Sequence, residues 1–157
     1  GAYEPFEMAL RAILNQQVSV RAAITLAGRV VARFGAPTAE KLAVATSDGL
    51  RALGLTQARA ATLQTLSRAL VERRVSFDCV DPEATMAALV ALPGIGPWTA
   101  NYVAMRGLAW PDAFPVGDLG IKKALGVTSD KAMLAHAEAW RPWRAYAVMH
   151  LWHRPTT

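Results

Sequence analysis

The sequence predicts an all-α fold, and three observations carry that prediction. Apolar residues recur at helical spacing along nearly the whole chain, and no segment sustains the period-two alternation of a half-buried strand. Ser, Thr and Asp residues precede most of these periodic segments and glycines follow several of them, as caps and stops should. Pro93-Gly94-Ile95-Gly96 lies between two helix-compatible stretches and must be a tight reversal joining them.

Phe6, Leu10, Ile13, Leu14 and Val18 predict a first helix over 5–18. Ser19 is placed to cap a second, in which Val20 to Phe34 continue the period until Gly35 stops it. The polar run Asn15-Gln16-Gln17-Val18-Ser19 interrupts this apolar neighbourhood, and its simplest reading is a helix junction whose amides satisfy local backbone groups. Thr38, Ser47 and Thr56 each precede a further segment, with Gly49 and Gly54 keeping the middle one short and the third running over 57–73. Asp81-Pro82 opens the helix through Met86, Leu89 and Leu92 that forms the first arm of the reversal. The second arm covers 97–106 and stops at Gly107. Residues 109–117 hold two prolines and a glycine and read as an ordered loop. Asp118 then opens a helix ended by Gly126, Thr128 or Ser129 caps another through Trp140, and Pro142 opens the last, through Trp152.

At the reversal, glycines permit positive φ and leave backbone N–H groups uncovered, while Pro97 suits a first helical turn where its missing N–H costs nothing. Such a turn feeding a helix start receives an anion. The 17 Lys and Arg residues against 12 acidic ones, net +5, suit a polyanionic partner. Charged residues interrupt every apolar run well before the roughly 18 residues a membrane span needs, and no signal-peptide pattern is present. A lone cysteine, Cys79, cannot make an internal disulfide, which fits a reduced intracellular, cytoplasmic setting. The length of 157 residues suits one domain, and a start at Gly1 that runs almost directly into a helical pattern leads us to expect the C-terminal part of a longer protein. His150 and His153 lie three apart on one predicted helix, but no cysteine or acidic partner completes a metal site.

Leu92-Pro93-Gly94-Ile95-Gly96, followed by Trp98-Thr99-Ala100 and by an aspartate in Val116-Gly117-Asp118, 22 positions beyond Gly96, resembles the helix-hairpin-helix DNA glycosylases. Within them, Trp98, the Phe114-Pro115-Val116-Gly117-Asp118 loop and Trp140-Arg141-Pro142-Trp143-Arg144-Ala145-Tyr146-Ala147 are similar to 3-methyladenine DNA glycosylase II, over about residues 3–152. The resemblance implies a two-lobed helical bundle with a helix-hairpin-helix motif and a cleft between the lobes. It implies a base-excision repair enzyme, acting as a monomer on double-stranded DNA containing alkylated bases, that flips out 3-methyladenine or 7-methylguanine and hydrolyses the N-glycosidic bond. Such enzymes often carry a small N-terminal β-rich domain, and some are fused behind an alkylation-response regulator. The single cysteine rules out the four-thiolate iron-sulfur cluster of some relatives.

The resemblance places the catalytic carboxylate at Asp118, although an aspartate there is also an ordinary helix cap. An anion about 4 Å from the developing sugar cation contributes roughly 4 kcal/mol at an effective dielectric of about 20, about a thousandfold in rate. Trp98, Tyr102 and Trp152 match the base pocket. Relatives that also cut the backbone carry a lysine where Trp98 stands, so no lyase activity is expected. Leu119 replaces an aromatic, implying a less enclosed pocket. The hairpin Pro93, Gly94, Ile95 and Gly96 is expected to grip DNA, with a backbone-ligated monovalent cation, Na+ or K+, and no side-chain metal site. Lys122, Lys123 and Arg106 are candidates for phosphate contacts or for a solvated charged face. Gln17, with Gln16 next, is the candidate wedge filling the hole left by a flipped nucleotide, where the better-known pattern has an apolar residue. The alternative is a non-catalytic helix-hairpin-helix DNA-binding module in which Asp118 only caps and Trp98 is core.

Overall fold

The computed structural model describes residues 4–78 and 80–153. Cys79, on which the thiol argument rests, lies outside them. The described residues form ten helices and no strand. Two separate hydrophobic cores divide these helices into two lobes. The first is built by α1 (Pro5–Asn15), α2 (Val20–Phe34), α3 (Ala39–Ala43), α4 (Ser47–Ala52), α5 (Gln57–Val71) and α6 (Pro82–Val90). The second is built by α8 (Leu119–Leu125), α9 (Asp130–Glu138) and α10 (Arg144–Trp152).

Helix α7 (Pro97–Arg106) belongs to both. Ala100 and Val103 complete the first core, Ala104 and Met105 enter the second, and Tyr102 packs against each. Ile13, Leu50, Leu63 and Leu66 are fully buried on one side of this helix, Ile121, Met133 and Val148 on the other. Each such side chain stabilises the fold by roughly 1.5–3 kcal/mol. An open groove between α1, α2 and α7 is bordered by Leu14 and Ile24 of the first lobe and by Tyr102 and Arg106 of α7.

Most predicted boundaries are found where their capping chemistry put them. Ser19, Thr38, Thr56, Asp81 and Ser129 each accept a hydrogen bond from the amide three residues on. Other boundaries differ. The first helix ends at Asn15, not 18, because Gln16 leaves helical geometry (ψ 122°) and Gln17 turns left-handed (φ 55°), which lets Ser19 begin α2 in extended backbone. Thr46 rather than Ser47 caps α4, accepting from the Gly49 amide at 3.0 Å. Helix α5 stops at Val71, where the amides of Arg74 and Val75 fold back onto the Ala69 carbonyl and Arg73 turns left-handed. The last two helices are shorter than their periodicity suggests: α9 ends at Glu138 and α10 starts at Arg144, separated by tight turns such as Trp143 N–H to Trp140 O at 2.7 Å. The Ala145 amide donates to Pro111 O at 2.9 Å, so the start of α10 is fixed by the loop before α8.

Candidate active site

Two neighbouring regions are built around the N-terminal half of α7. The hairpin before it is pressed against the first lobe. Gly94 has φ 86°, and a Cβ there would run into the side chain of Thr62 on α5, so both backbone geometry and space require glycine. Ile95 is buried, and its amide donates to Leu92 O at 3.2 Å. Pro93, Gly94 and Gly96 face solvent. Gly96 is the N-cap of α7 but offers no capping side chain, which leaves the first amides of that helix to an external acceptor.

Gln16 ties this hairpin to the end of α1. Its side-chain amide donates to Gly94 O and to Thr99 Oγ1, each at 3.2 Å, while Arg59 donates to its backbone carbonyl. Gln17, beside it, is exposed. The two candidate glutamines therefore have different surroundings, Gln16 engaged with the hairpin and Gln17 open to a partner.

On the other side of α7, Asp118 faces two indoles. Trp98 Nε1 donates to Asp118 Oδ2 at 2.9 Å, and Trp152 Nε1 donates to Oδ1 at 3.2 Å. The Ile121 amide also donates to Oδ1, at 2.9 Å, which is the ordinary cap of α8. A cap needs only that last bond; the two indoles, from α7 and α10, go beyond it. Three donors fix the carboxylate's orientation. Trp98 and Tyr102, one turn apart, stack with ring centroids at 5.2 Å and planes at 19°, and Trp152 tilts against Tyr102 at 6.2 Å. At Gly120 a Cβ would come within 3.2 Å of Asp118 Oδ1, so a small residue keeps that side of the carboxylate open. Leu119 is 79% exposed.

Side chains that the sequence did not single out hold the loop carrying Asp118. Arg144 grips Asp112 through both its carboxylate (2.7 and 3.0 Å) and its carbonyl (3.1 and 2.8 Å), with Arg141 adding a 2.5 Å ion pair. Arg144 and Asp112 are both buried, and removing one partner of such a pair costs about 3–5 kcal/mol. Asn101 on α7 accepts the Phe114 amide at 2.9 Å. A buried asparagine inside a helix, and a buried Arg-Asp pair far apart in sequence, leave only one sequence signal: polar residues at positions the apolar period assigns to the core.

Other candidates separate. The Lys122 ammonium is paired with Asp130 at 2.6 Å, whereas Lys123 is exposed. Arg106 reaches Met149 Sδ at 3.3 Å. His153 contacts the Met149 carbonyl at 2.6 Å, and no cluster of three metal-ligating side chains occurs among the described residues. None of the described helices is long and apolar enough to cross a membrane.

Known proteins resemble this chain in sequence and in fold. The model of the HhH-GPD superfamily base excision DNA repair proteins matches residues 10–144. A Mycobacterium tuberculosis (strain CDC 1551 / Oshkosh) protein named probable bifunctional transcriptional activator/DNA repair enzyme AlkA is 42% identical over 161 residues, 93% of this chain and 32% of that protein. Escherichia coli (strain K12) DNA-3-methyladenine glycosylase 2 is 38% identical over 165 residues, 98% of this chain and 58% of that enzyme. The chain thus spans about a third of one relative and somewhat over half of the other. Among solved structures, the 3-methyladenine DNA glycosylase Mag1 of Schizosaccharomyces pombe, in complex with abasic DNA, shares the fold with a TM-score of 0.85 at 24% identity, covering 95% of this chain and 79% of that one.

Proposed function

This chain belongs to the HhH-GPD superfamily of base excision DNA repair proteins, and from that premise we propose that it is a monofunctional glycosylase that flips alkylated purines out of double-stranded DNA and hydrolyses their N-glycosidic bond. The observation that carries the reading is the Asp118 carboxylate, held by two indole N–H groups at the mouth of an aromatic cluster.

An N-alkylated purine such as 3-methyladenine already bears positive charge, so it departs with the glycosidic electron pair without a general acid. Positive charge then grows on the sugar, where Asp118 opposes it. The same carboxylate orients a water whose oxygen bonds C1′ as the base leaves with its electron pair, and takes up the proton that this water gives up. Because its hydrogen bonds pre-set the carboxylate, little reorganisation is needed when the charge develops. The electron-rich rings of Trp98 and Trp152, both beside Asp118, suit a cationic base, each such contact contributing about 0.5–2 kcal/mol. Trp98 has no amine with which to form a Schiff base, so the product is an abasic site in an uncut strand.

The hairpin and the exposed Gln17 complete the proposal as the DNA grip and the wedge. A monovalent cation, Na+ or K+, fits the hairpin chemically. The Leu92 and Gly94 carbonyls each accept one bond, from Ile95 N–H and Gln16 respectively, and keep a second lone pair, with no carboxylate in residues 92–96 to favour a divalent ion. When bound, the ion would supply positive charge toward a DNA phosphate.

The test is incubation of the protein with methylated duplex DNA. Release of free 3-methyladenine, with abasic sites that break only on heating, is the expected result. Tight binding with no base released would favour the non-catalytic module instead, and a borohydride-trapped protein-DNA adduct would overturn the monofunctional assignment.

A further inference from the structure

We propose that Asn101 is the positioning residue that sets the catalytic carboxylate, by making the loop that carries Asp118 follow α7. The inference deepens the role of Asp118 given above and rests on it. Asn101 is 8% exposed and sits where α7 passes from one core to the other. Its Nδ2 donates to Pro97 O at 2.9 Å, the carbonyl one turn earlier, which locks the amide plane. Its Oδ1 accepts the Phe114 amide at 2.9 Å.

From Phe114 a short run of backbone bonds leads to the carboxylate. Phe114 O accepts from Val116 N–H at 2.9 Å, and Pro115 O accepts from Asp118 N–H at 3.2 Å. Trp98, which donates to Asp118 Oδ2, lies one residue beyond Pro97 on the same turn of α7 that Asn101 bonds. Both the indole and the loop that brings the carboxylate to it are therefore referred to one turn of one helix. Phe114 is itself 2% exposed, so without Asn101 its amide is a buried donor with no acceptor at that position, and the loop must shift to satisfy it. The ion pairs of Asp112 hold the same loop to Arg144 at the start of α10 and to Arg141 just before it. They fix the loop against the second lobe but not against Trp98.

The experiment is a double-mutant cycle on single-turnover excision of 3-methyladenine at saturating enzyme, with Asn101→Ala, Asp118→Asn and the combination, alongside thermal melts and affinity for DNA bearing a tetrahydrofuran abasic analogue. Misplacing a catalytic group by about 1 Å costs on the order of a hundredfold. Asn101→Ala is therefore expected to slow excision by about tenfold to a hundredfold with analogue affinity within about threefold, and to slow the Asp118→Asn enzyme by less than about threefold. Asn101→Asp keeps the shape and the acceptor for the Phe114 amide, so it should retain a rate within about tenfold of wild type and above that of Asn101→Ala. It also serves as the test variant if the alanine form does not fold. Equal fractional losses in both backgrounds would mean that Asn101 does not act through Asp118, and an aspartate no better than alanine would remove the acceptor role. Wild-type rates in Asp118→Asn alone would instead bring down the catalytic reading of Asp118, and this inference with it.

Discussion

The hairpin and the Asp118 corner lie at opposite sides of the first turn of α7, and they handle their polar groups in opposite ways. The hairpin leaves donors unused: Gly96 caps α7 without a side chain, and Pro93, Gly94 and Gly96 are exposed. At Asp118 both carboxylate oxygens already have donors, from the two indoles and the Ile121 amide. Unused backbone donors bind any phosphate and read no sequence, whereas a fully held carboxylate is pre-set for charge that appears only during reaction. The difference teaches that grip and chemistry should be separable by mutation, although a single turn of helix connects them.

The largest expected effect is at Asp118. Asparagine keeps the shape and the cap to Ile121, so Asp118→Asn should fold, but with the anion gone excision should slow by about two to four orders of magnitude. A single-turnover assay paired with a thermal melt checks this. A rate within about threefold of wild type at equal stability would leave Asp118 as a cap only.

Trp98 sharpens the comparison because it donates to the carboxylate and stacks on Tyr102 at once. Trp98→Phe keeps a ring face but loses the N–H, so it should slow cationic and neutral substrates alike, by about tenfold for a charge-assisted bond of about 1.5–3 kcal/mol that is partly replaced by water. Trp98→Leu should add a loss specific to cationic bases, up to about 2 kcal/mol more for 3-methyladenine than for hypoxanthine. Equal losses on the two bases would reduce Trp98 to packing and hydrogen bonding.

Gly96→Asp tests the hairpin by setting stability against binding. Gly96 has φ −90°, a Cβ there meets nothing within 4 Å, and aspartate is a better cap than glycine by a few tenths of a kcal/mol. The variant should melt at or slightly above the wild-type temperature, yet place a negative charge where a phosphate is to sit and weaken DNA binding about tenfold. Fluorescence anisotropy across a salt series reads it, and the wild-type curve should fall steeply with salt and vary little with sequence. Unchanged affinity would take the hairpin out of the interface.

Gln17→Ala should have the smallest effect. The side chain is exposed, so stability should change by less than about 0.5 kcal/mol. Excision should fall a few-fold, about 1 kcal/mol, through poorer capture of the flipped base. A melting point several degrees lower with normal excision would support a purely structural junction.

How much of this was legible in the sequence follows from the range of each interaction. The caps, the reversal and the position of Asp118 at a helix start depend on residues a few places apart, and apart from Thr46 in place of Ser47 they are found as the pattern implied. Both arms of the hairpin begin at a proline and end within one turn of their predicted limits. Gln17 could be ranked above Gln16 only by resemblance, because the physical difference lies in Gly94 and Thr99, some 80 positions away. Trp98 and Trp152 stood out as aromatics, but not as donors to the same carboxylate, since ring identity does not say where an N–H points. Asn101, Asp112 and Arg144 showed in the sequence only as polar residues at core positions, and their partners, from 13 to 32 positions away, could not be read from it. The shortened α9 and α10 show the same limit: the apolar period runs on through Trp140 and Trp143, and the contact of Ala145 with Pro111 that breaks it is tertiary.

The most direct test of the division between the two regions places Asp118→Asn and Gly96→Asp side by side and measures each for single-turnover excision at saturating enzyme and for affinity to abasic-analogue DNA. Asp118→Asn should lose about two to four orders of magnitude in rate with affinity unchanged or tighter, and Gly96→Asp should lose about tenfold in affinity with the saturated rate within about threefold of wild type. If each variant lost rate and affinity together in similar proportion, grip and chemistry would be one device, and the separation drawn here would be contradicted.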